Sequence, residues 1–132
     1  MLSALATVKS SNELNGLSLA YMGDAVIELL VREKALSSGI TNVGELNRMA
    51  RNFVTAKNQS TALENILPLL TQEETDFYRR GRNAHGISAP KSASVTEYRR
   101  ATGMEALFGH LFLSGQMERA RELFSIAYSK ET

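Results

Sequence analysis

Residues 14–31, LNGLSLAYMGDAVIELLV, form the stretch that most restricts how this chain can fold. It is long enough for about five helical turns and is apolar on nearly every side of such a helix. Two carboxylates, Asp24 and Glu28, interrupt it, and their spacing of four residues places both on one helical face. Burying a carboxylate in so apolar a segment is costly unless a cation, a metal ion or a second acid sharing a proton accompanies it. The stretch therefore predicts a long helix with an acidic spot where function is to be sought.

The composition restricts the classes of protein to which the chain can belong. Its 132 residues suffice for one domain, 1–132, with a core that needs no disulfide or metal. The lack of cysteine excludes disulfide frameworks, thiolate zinc sites and cysteine nucleophiles, and it fits a cytoplasmic protein. A net charge of +1 is too balanced for a purely electrostatic nucleic-acid binder. No apolar run reaches membrane-spanning length and the first residues lack signal-peptide features, so we expect neither membrane insertion nor secretion.

Helix start signals recur along the chain, and no stretch alternates apolar and polar residues over the length of a strand. Each signal pairs a capping residue with a glutamate three positions later: Ser10 with Glu13, Asn42 with Glu45, Thr71 with Glu74, and Ser94 with Glu97. We therefore predict an all-α domain of five to seven helices. The expected helices cover 13–37, a segment after Asn42, 56–65, a segment from Thr71 to Arg82, 96–113 and 117–128.

A third acid, Glu105, lies among apolar residues in the fifth expected helix. If that helix packs beside the first one, Asp24 and Glu105 can face each other, and Gly23 and Gly109 would allow the close approach. Two adjacent carboxylates repel, which raises one pKa, and a hard cation such as Mg²⁺ or Mn²⁺ would relieve the repulsion. Such a site can activate water and neutralise a phosphate. The alternative is that these acids, with Glu28, pair with arginines or face solvent.

Basic residues cluster around an irregular stretch at 81–95, GRNAHGISAPKSASV. The cluster comprises Arg79, Arg80, Arg82, Lys91, Arg99 and Arg100. Its spacing suits the phosphates of a nucleic-acid duplex, although most charge runs are simply solvated faces. His85 lies in the same stretch and either touches RNA or is merely exposed, whereas we expect a structural role for His110.

Three segments resemble the ribonuclease III family. LAYMGDAVIELLV resembles the signature helix of the family, whose pattern is roughly ExxEFLGDAVL, and GMEALFGHLFLSG resembles its second acidic motif, DxFEAxxGAxxLDGG. Between them, RNFVTAKNQSTAL resembles the intervening helix of the family. Because the chain stops at Thr132, we expect no double-stranded-RNA-binding domain, as in the Mini-ribonuclease III branch, which GLSLAYMGDA and RRGRNAHG also resemble.

The resemblance implies an all-helical homodimer that uses Mg²⁺, or Mn²⁺ as a substitute, to cut double-stranded RNA. It implies maturation of the ends of the 23S ribosomal RNA precursor, with a ribosomal protein as a candidate partner, in the cytoplasm or in the plastid stroma of a plant. In the family the signature helices of two subunits pack together, so the 14–31 helix would be covered by its own core and by its partner. A symmetric dimer would then place one site on each RNA strand.

The resemblance also implies which residues act. Asp24 matches the aspartate of the GDA motif and Glu105 the glutamate of the EA motif, so these two are expected to bind the metal and catalyse cleavage that leaves a 5′-phosphate. Larger relatives carry two further acids where this chain has Ala20 and Thr102, so the number of metal ions per site stays open. Glu28 would at most assist through water.

The leading hypothesis is therefore a metal-dependent endoribonuclease. Its RNA contacts are expected at Arg79, Arg80, Arg82, Asn83, His85 and Lys91. The main alternative is a non-catalytic homodimeric helical module that binds structured RNA or a ribosomal partner, with the two acids as a vestige. If the protein were an unrelated helical adaptor, the presence of both the GDA motif and the EA motif would be unexplained.

Overall fold

The structure is a computed structural model that describes residues 10–85 and 94–129. The described residues form an all-α fold without strands, which confirms the predicted fold class. The six α-helices are α1 (Gly16–Ser37), α2 (Val43–Phe53), α3 (Ala56–Ile66), α4 (Gln72–Arg82), α5 (Val95–Leu113) and α6 (Met117–Ala127). None of the helices in these two ranges has the length and apolarity needed to cross a membrane.

Three of the four predicted helix starts are confirmed. The side chains of Asn42, Thr71 and Ser94 each accept a hydrogen bond from the backbone N–H three residues later, which satisfies a donor that the helix leaves free. At Thr71 the capping box is complete, because the Glu74 carboxylate also accepts from the Thr71 N–H at 2.9 Å.

The start predicted at Ser10 is wrong. The Ser10 hydroxyl donates to the Glu13 carboxylate at 3.1 Å and caps no backbone N–H, and the segment Ser11–Glu13 is only a short 3₁₀ turn. Helix α1 begins later because Asn15, a strongly preferred capping residue, accepts from the Ser18 N–H at 2.8 Å.

Helix α5 is the central element, since it packs against α1, α3, α4 and α6. Residues 101–104 and 106–111 of this helix are buried, and Glu105 is the one partly exposed residue between them. The apolar core around α5 is formed by side chains from all six helices. An acid in the middle of such a helix is therefore held in a fixed position by packing on both sides.

Helices α1 and α5 approach each other closely at two glycines. A Cβ added to Gly23 would overlap the backbone carbonyl of Glu105, and one added to Gly109 would overlap the carbonyl of Leu19. Because these neighbours are backbone atoms of packed helices, they cannot move aside easily. The prediction that Gly23 and Gly109 permit close packing is confirmed, and the contact places the residue after Gly23, Asp24, against α5.

The segment before α1 is fixed to α4 and α5 by two polar side chains. The guanidinium of Arg80 donates to the backbone carbonyls of Asn12 and Leu14, both at 3.1 Å. The His110 ring stacks on Phe77 with centroids 3.6 Å apart, and its Nδ1 lies 2.8 Å from the Ser11 hydroxyl. Burial lowers the pKa of His110. This histidine is structural, as expected from the sequence.

Candidate active site

Asp24 on α1 and Glu105 on α5 lie side by side at the glycine contact. The pKa of Glu105 is raised to about 8, first by burial and then by the neighbouring charge of Asp24 and a hydrogen bond with its carboxyl group. Asp24 itself is exposed. Neither acid forms an ion pair with any residue of 10–85 or 94–129, so the alternative of arginine partners is not found there.

Glu28 is separated from this acid pair. Its carboxylate accepts from the Arg32 Nε at 3.0 Å, one turn further along α1, and its side chain is 42% exposed. A partly exposed pair at this spacing is worth only about 0.3–0.5 kcal/mol. The two acids of the 14–31 stretch therefore have different environments, and only Asp24 lies at the crossing of α1 and α5.

The acid pair has oxygen ligands of the kind that a divalent cation accepts. Two adjacent carboxylates, one of which keeps its proton at neutral pH, supply hard oxygen ligands and a strong reason to accept a cation. Mg²⁺ retains several waters and needs only one or two carboxylates when substrate phosphates complete its shell. No group of three or more acids or histidines that could hold a metal occurs in the described part of the chain, so any ion must rely on those waters and phosphates.

Ala20 and Thr102, where the family resemblance led us to expect further acids, are placed in different ways. Ala20 is buried in an apolar cluster with Leu19, Phe77 and Ala106. Thr102 is also buried, and its hydroxyl donates to the Tyr98 carbonyl at 3.0 Å. Neither position supplies a negative charge, so the pair retains fewer acids than the family pattern.

A cleft of about 470 Å³ opens beside Glu105, between the N-terminal end of α3 and the first half of α5. Its walls include Lys57 and Gln59 from α3, and Tyr98 and Thr102 from α5. Sequence reasoning placed the segment RNFVTAKNQSTAL between the acidic motifs but missed Gln59 as a site residue. The signal that could have revealed it is a polar amide one turn into a helix that otherwise packs against the core.

The structure divides the basic cluster into two sets. The Arg79 side chain is exposed and makes no hydrogen bond or ion pair with the described residues, and Arg82 lies over the Tyr78 ring and donates to the Asn83 side chain at 3.1 Å. Arg80 is turned inward to the backbone carbonyls before α1. Of the other predicted contacts, His85 is exposed, and Lys91 lies outside the described residues.

The two arginines of α5 are also engaged with the protein. Arg99 donates to the carbonyl of Arg82 at 3.2 Å, and Arg100 pairs with Glu64 at 2.7 Å. Arg100 nevertheless lines a second cleft, of about 470 Å³, together with Arg79 and Arg82. Positive charge is thus concentrated where α4 and α5 meet, in a cleft that shares no lining residue with the cleft beside Glu105.

Comparison with known proteins gives consistent results. A family model described as the ribonuclease III domain matches residues 17–116. The Mini-ribonuclease 3 of Symbiobacterium thermophilum is 49% identical over 84% of this chain and 85% of its own length. That of Enterococcus faecalis is 43% identical over 93% of this chain and 95% of its own. A crystal structure of a protein from Fusobacterium nucleatum matches with a TM-score of 0.83 and 31% identity, covering 94% of this chain and 100% of that one.

Proposed function

The chain belongs to the ribonuclease III family, and from its acid pair we propose that it is a magnesium-dependent endoribonuclease that cleaves double-stranded RNA. The observation that carries the proposal is the placement of Asp24 against the half-buried Glu105, whose pKa is raised first by burial and then by the charge of Asp24 and a hydrogen bond with it. A site of this kind is built for a cation and, through it, for phosphate. The similarity to proteins named Mini-ribonuclease 3 supports the reaction class.

In this proposal Asp24 and Glu105 hold the metal, and Mn²⁺ can substitute for Mg²⁺. An ion held by these two carboxylates would supply positive charge for a phosphate and would make a bound water more acidic. Glu105 must release its proton when the ion binds, and its fixed place in α5 keeps the carboxylate aimed at the crossing with α1. The cleft beside Glu105 receives the RNA strand, and cleavage leaves a 5′-phosphate, as the family resemblance implies.

We further propose a homodimer formed through α1. Four apolar residues stay exposed along the outer face of this helix, namely Leu17 at 42%, Tyr21 at 82%, Leu29 at 49% and Leu36 at 58%. A helix that exposes this much apolar surface while its other face is in the core is suited to pack on a second copy. A twofold dimer would lay one duplex across both acid pairs.

The same resemblance supports a substrate and a location. The substrate would be the paired ends of the 23S ribosomal RNA precursor, with a ribosomal protein as a candidate for presenting it, and the enzyme would act in the cytoplasm. Arg79, Arg82, Asn83 and His85, with Lys91, would contact phosphates of the duplex. A-form RNA is recognised mainly through its backbone and its 2′-hydroxyls, which suits such a set of side chains.

The deciding experiment replaces Asp24 by asparagine, which preserves shape and removes the charge. We expect cleavage of a ribosomal precursor duplex in Mg²⁺ to fall by at least about 100-fold, since even indirect support of a metal ligand is worth about 10–100-fold, while binding of the uncleaved duplex persists. Glu28→Gln is the matched control, because it makes the same change one turn away and should leave cleavage nearly unchanged. Unreduced cleavage by the Asp24→Asn protein would remove Asp24 from the mechanism. Duplex binding without Mg²⁺-dependent cleavage by the unmodified protein would favour a non-catalytic RNA-binding module.

A further inference from the structure

Gln59 is a largely buried residue whose side-chain amide opens onto the cleft beside Glu105 and has no hydrogen-bond partner among the described residues. The residue is 4% exposed, and no hydrogen bond joins its side-chain amide to any residue within 10–85 or 94–129. Among the described residues, the fully buried side-chain N and O atoms without a partner are Arg100 Nε and His110 Nε2, so the Gln59 amide is instead open to the cleft, where water or a ligand satisfies it. The amide therefore has a donor and an acceptor available to a group that enters the cleft.

The surroundings of Gln59 indicate what kind of group this is. Lys57 is exposed in the first turn of α3 and lines the same cleft, and the backbone N–H groups of that turn lie at the positive end of the helix. These features suit a phosphate. Gln59 is neutral and buried, and it both donates and accepts, which matches a hydroxyl better than an anion.

We propose that Gln59 binds a ribose 2′-hydroxyl of the RNA strand in the cleft, next to a phosphate held at Lys57 and the N-terminal end of α3. The contact selects RNA over DNA within the cleft itself, because the 2′-hydroxyl is the group that separates the two. The inference rests on the proposed function, in that it takes duplex RNA as the ligand of this cleft. It adds a specificity-determining residue, on α3, to the acids on α1 and α5.

The test measures equilibrium binding in EDTA, so that it does not depend on metal loading or on cleavage. The probes are an RNA duplex and a series of the same duplex in which one 2′-deoxynucleotide is stepped through each strand. For the unmodified protein we expect a loss of affinity of about 3–10-fold at the position that faces Gln59, the typical worth of one hydrogen bond. Gln59→Leu should weaken binding of the all-ribose duplex by a similar factor and show no further loss at that position.

Two control variants make the result specific. Gln72→Leu makes the same substitution at an exposed glutamine of α4 and should keep the unmodified pattern. Lys57→Met should weaken binding of every duplex and reduce its salt dependence, while the loss at the deoxy position remains. If Gln59→Leu fails to fold, as judged by its thermal unfolding, then Gln59→Met, which is unbranched and of similar length, serves for the same measurement.

The outcomes separate this inference from the proposed function. A deoxy penalty that is the same in the Gln59 variant and the unmodified protein would overturn the role of Gln59, even if Mg²⁺-dependent cleavage is normal. The role of Gln59 would also be overturned if no single 2′-deoxynucleotide weakened the binding of the duplex to the unmodified protein. A Gln59-dependent penalty in a protein that never cleaves RNA would support the 2′-hydroxyl contact and refute the endonuclease.

Discussion

At the scale of single residues, Glu105 is the side chain with the most unusual environment. Its pKa of about 8, against an ordinary value of 4.5, means that the folded protein without metal holds a proton there which the unfolded chain releases. Burial is the main cause, and Asp24 adds to it. The repulsion of two adjacent acids is thus relieved by a proton in the absence of a cation and by the cation when one binds.

We predict a specific pH dependence for the stability of the metal-free protein. Between about 4.5 and 8 the folded state binds more protons at Glu105 than the unfolded state does, so the free energy of unfolding falls as the pH rises, by up to about 1.4 kcal/mol per pH unit. Below pH 6.5, the ordinary pKa of histidine, the lowered pKa of His110 changes the free energy of unfolding in the opposite direction. The effect of Glu105 is therefore measured most cleanly between pH 6.5 and 8. Denaturant titrations at both ends of that range measure the slope.

The matched variants for this prediction are Glu105→Gln and Glu118→Gln, the second at an exposed position of α6. The first should remove the slope and the second should retain it. Saturating Mg²⁺ should abolish the slope for the unmodified protein, because the ion binds the deprotonated carboxylates and Glu105 then carries no proton in either the folded or the unfolded state. A stability that is flat from pH 6.5 to 8 without metal would contradict the raised pKa of Glu105.

At the scale of helices, α4 presents two faces with different tasks. The inward face carries Arg80, which reaches back across the fold to the carbonyls before α1 and lies over the Phe77 ring at 4.5 Å. The outward face carries Arg79 and Arg82, which line the second cleft together with Arg100. Adjacent arginines in the sequence therefore belong to different parts of the molecule, since successive residues of a helix point about 100° apart.

We predict that mutations on the two faces of α4 have different effects, on RNA binding at one face and on stability at the other. The double variant Arg79→Ala with Arg82→Ala should bind duplex RNA more weakly and should keep its thermal stability. Its salt slope should fall by about one for each phosphate that the missing guanidinium groups no longer neutralise. Arg80→Ala should lower the free energy of unfolding by about 1–3 kcal/mol, because three backbone carbonyls lose a charged donor. Binding titrations at several salt concentrations and thermal unfolding provide both readings.

Arg121→Ala is the control for this pair of effects, because Arg121 is exposed on α6 and pairs with Glu33. It should alter neither the salt slope nor, by more than about 1 kcal/mol, the stability. An unchanged salt slope in the double variant would show that the outward face of α4 is a solvated surface. A stable Arg80→Ala protein with weakened RNA binding would instead place Arg80 at the RNA.

At the scale of the whole molecule, the outer face of α1 links the site to assembly. The helix that carries Asp24 is held to α5 on its inner side by the Gly23 contact, and its outer side exposes four large apolar side chains together with the Glu28–Arg32 pair. In the proposed dimer this one helix would position an acid pair in each subunit and would also set the distance between the two pairs. Because that distance must match the strands of a duplex, assembly and cleavage would depend on the same packing.

We predict that Leu29→Lys weakens the dimer by at least about tenfold, since a buried charge in the centre of an apolar interface typically costs more than about 1 kcal/mol. Leu69→Lys is the matched control, because both leucines are 49% exposed and Leu69 lies in a 3₁₀ turn away from α1. Sedimentation equilibrium over a range of concentrations gives the dissociation constants. The dimer proposal fails if the unmodified protein is monomeric throughout, or if both variants dimerise equally well.

The sequence by itself determined the helices and the order of the acidic motifs, because capping and periodicity act over a few residues. It also predicted the close contact at Gly23 and Gly109, because a glycine inside a helix is seldom explained by anything other than close packing. It failed at Ser10, where a nearer competitor, Asn15, provides the cap.

Only the tertiary structure decided which polar groups meet across the fold. Arg80 donates to carbonyls 66–69 residues earlier in the chain, and Gln59 shares a cleft with Glu105. No local pattern distinguishes Arg80 from Arg79, because the difference lies in what the fold brings within hydrogen-bonding distance. The raised pKa of Glu105 has the same origin, since burial and the charge of Asp24 act on it only after α1 and α5 have packed.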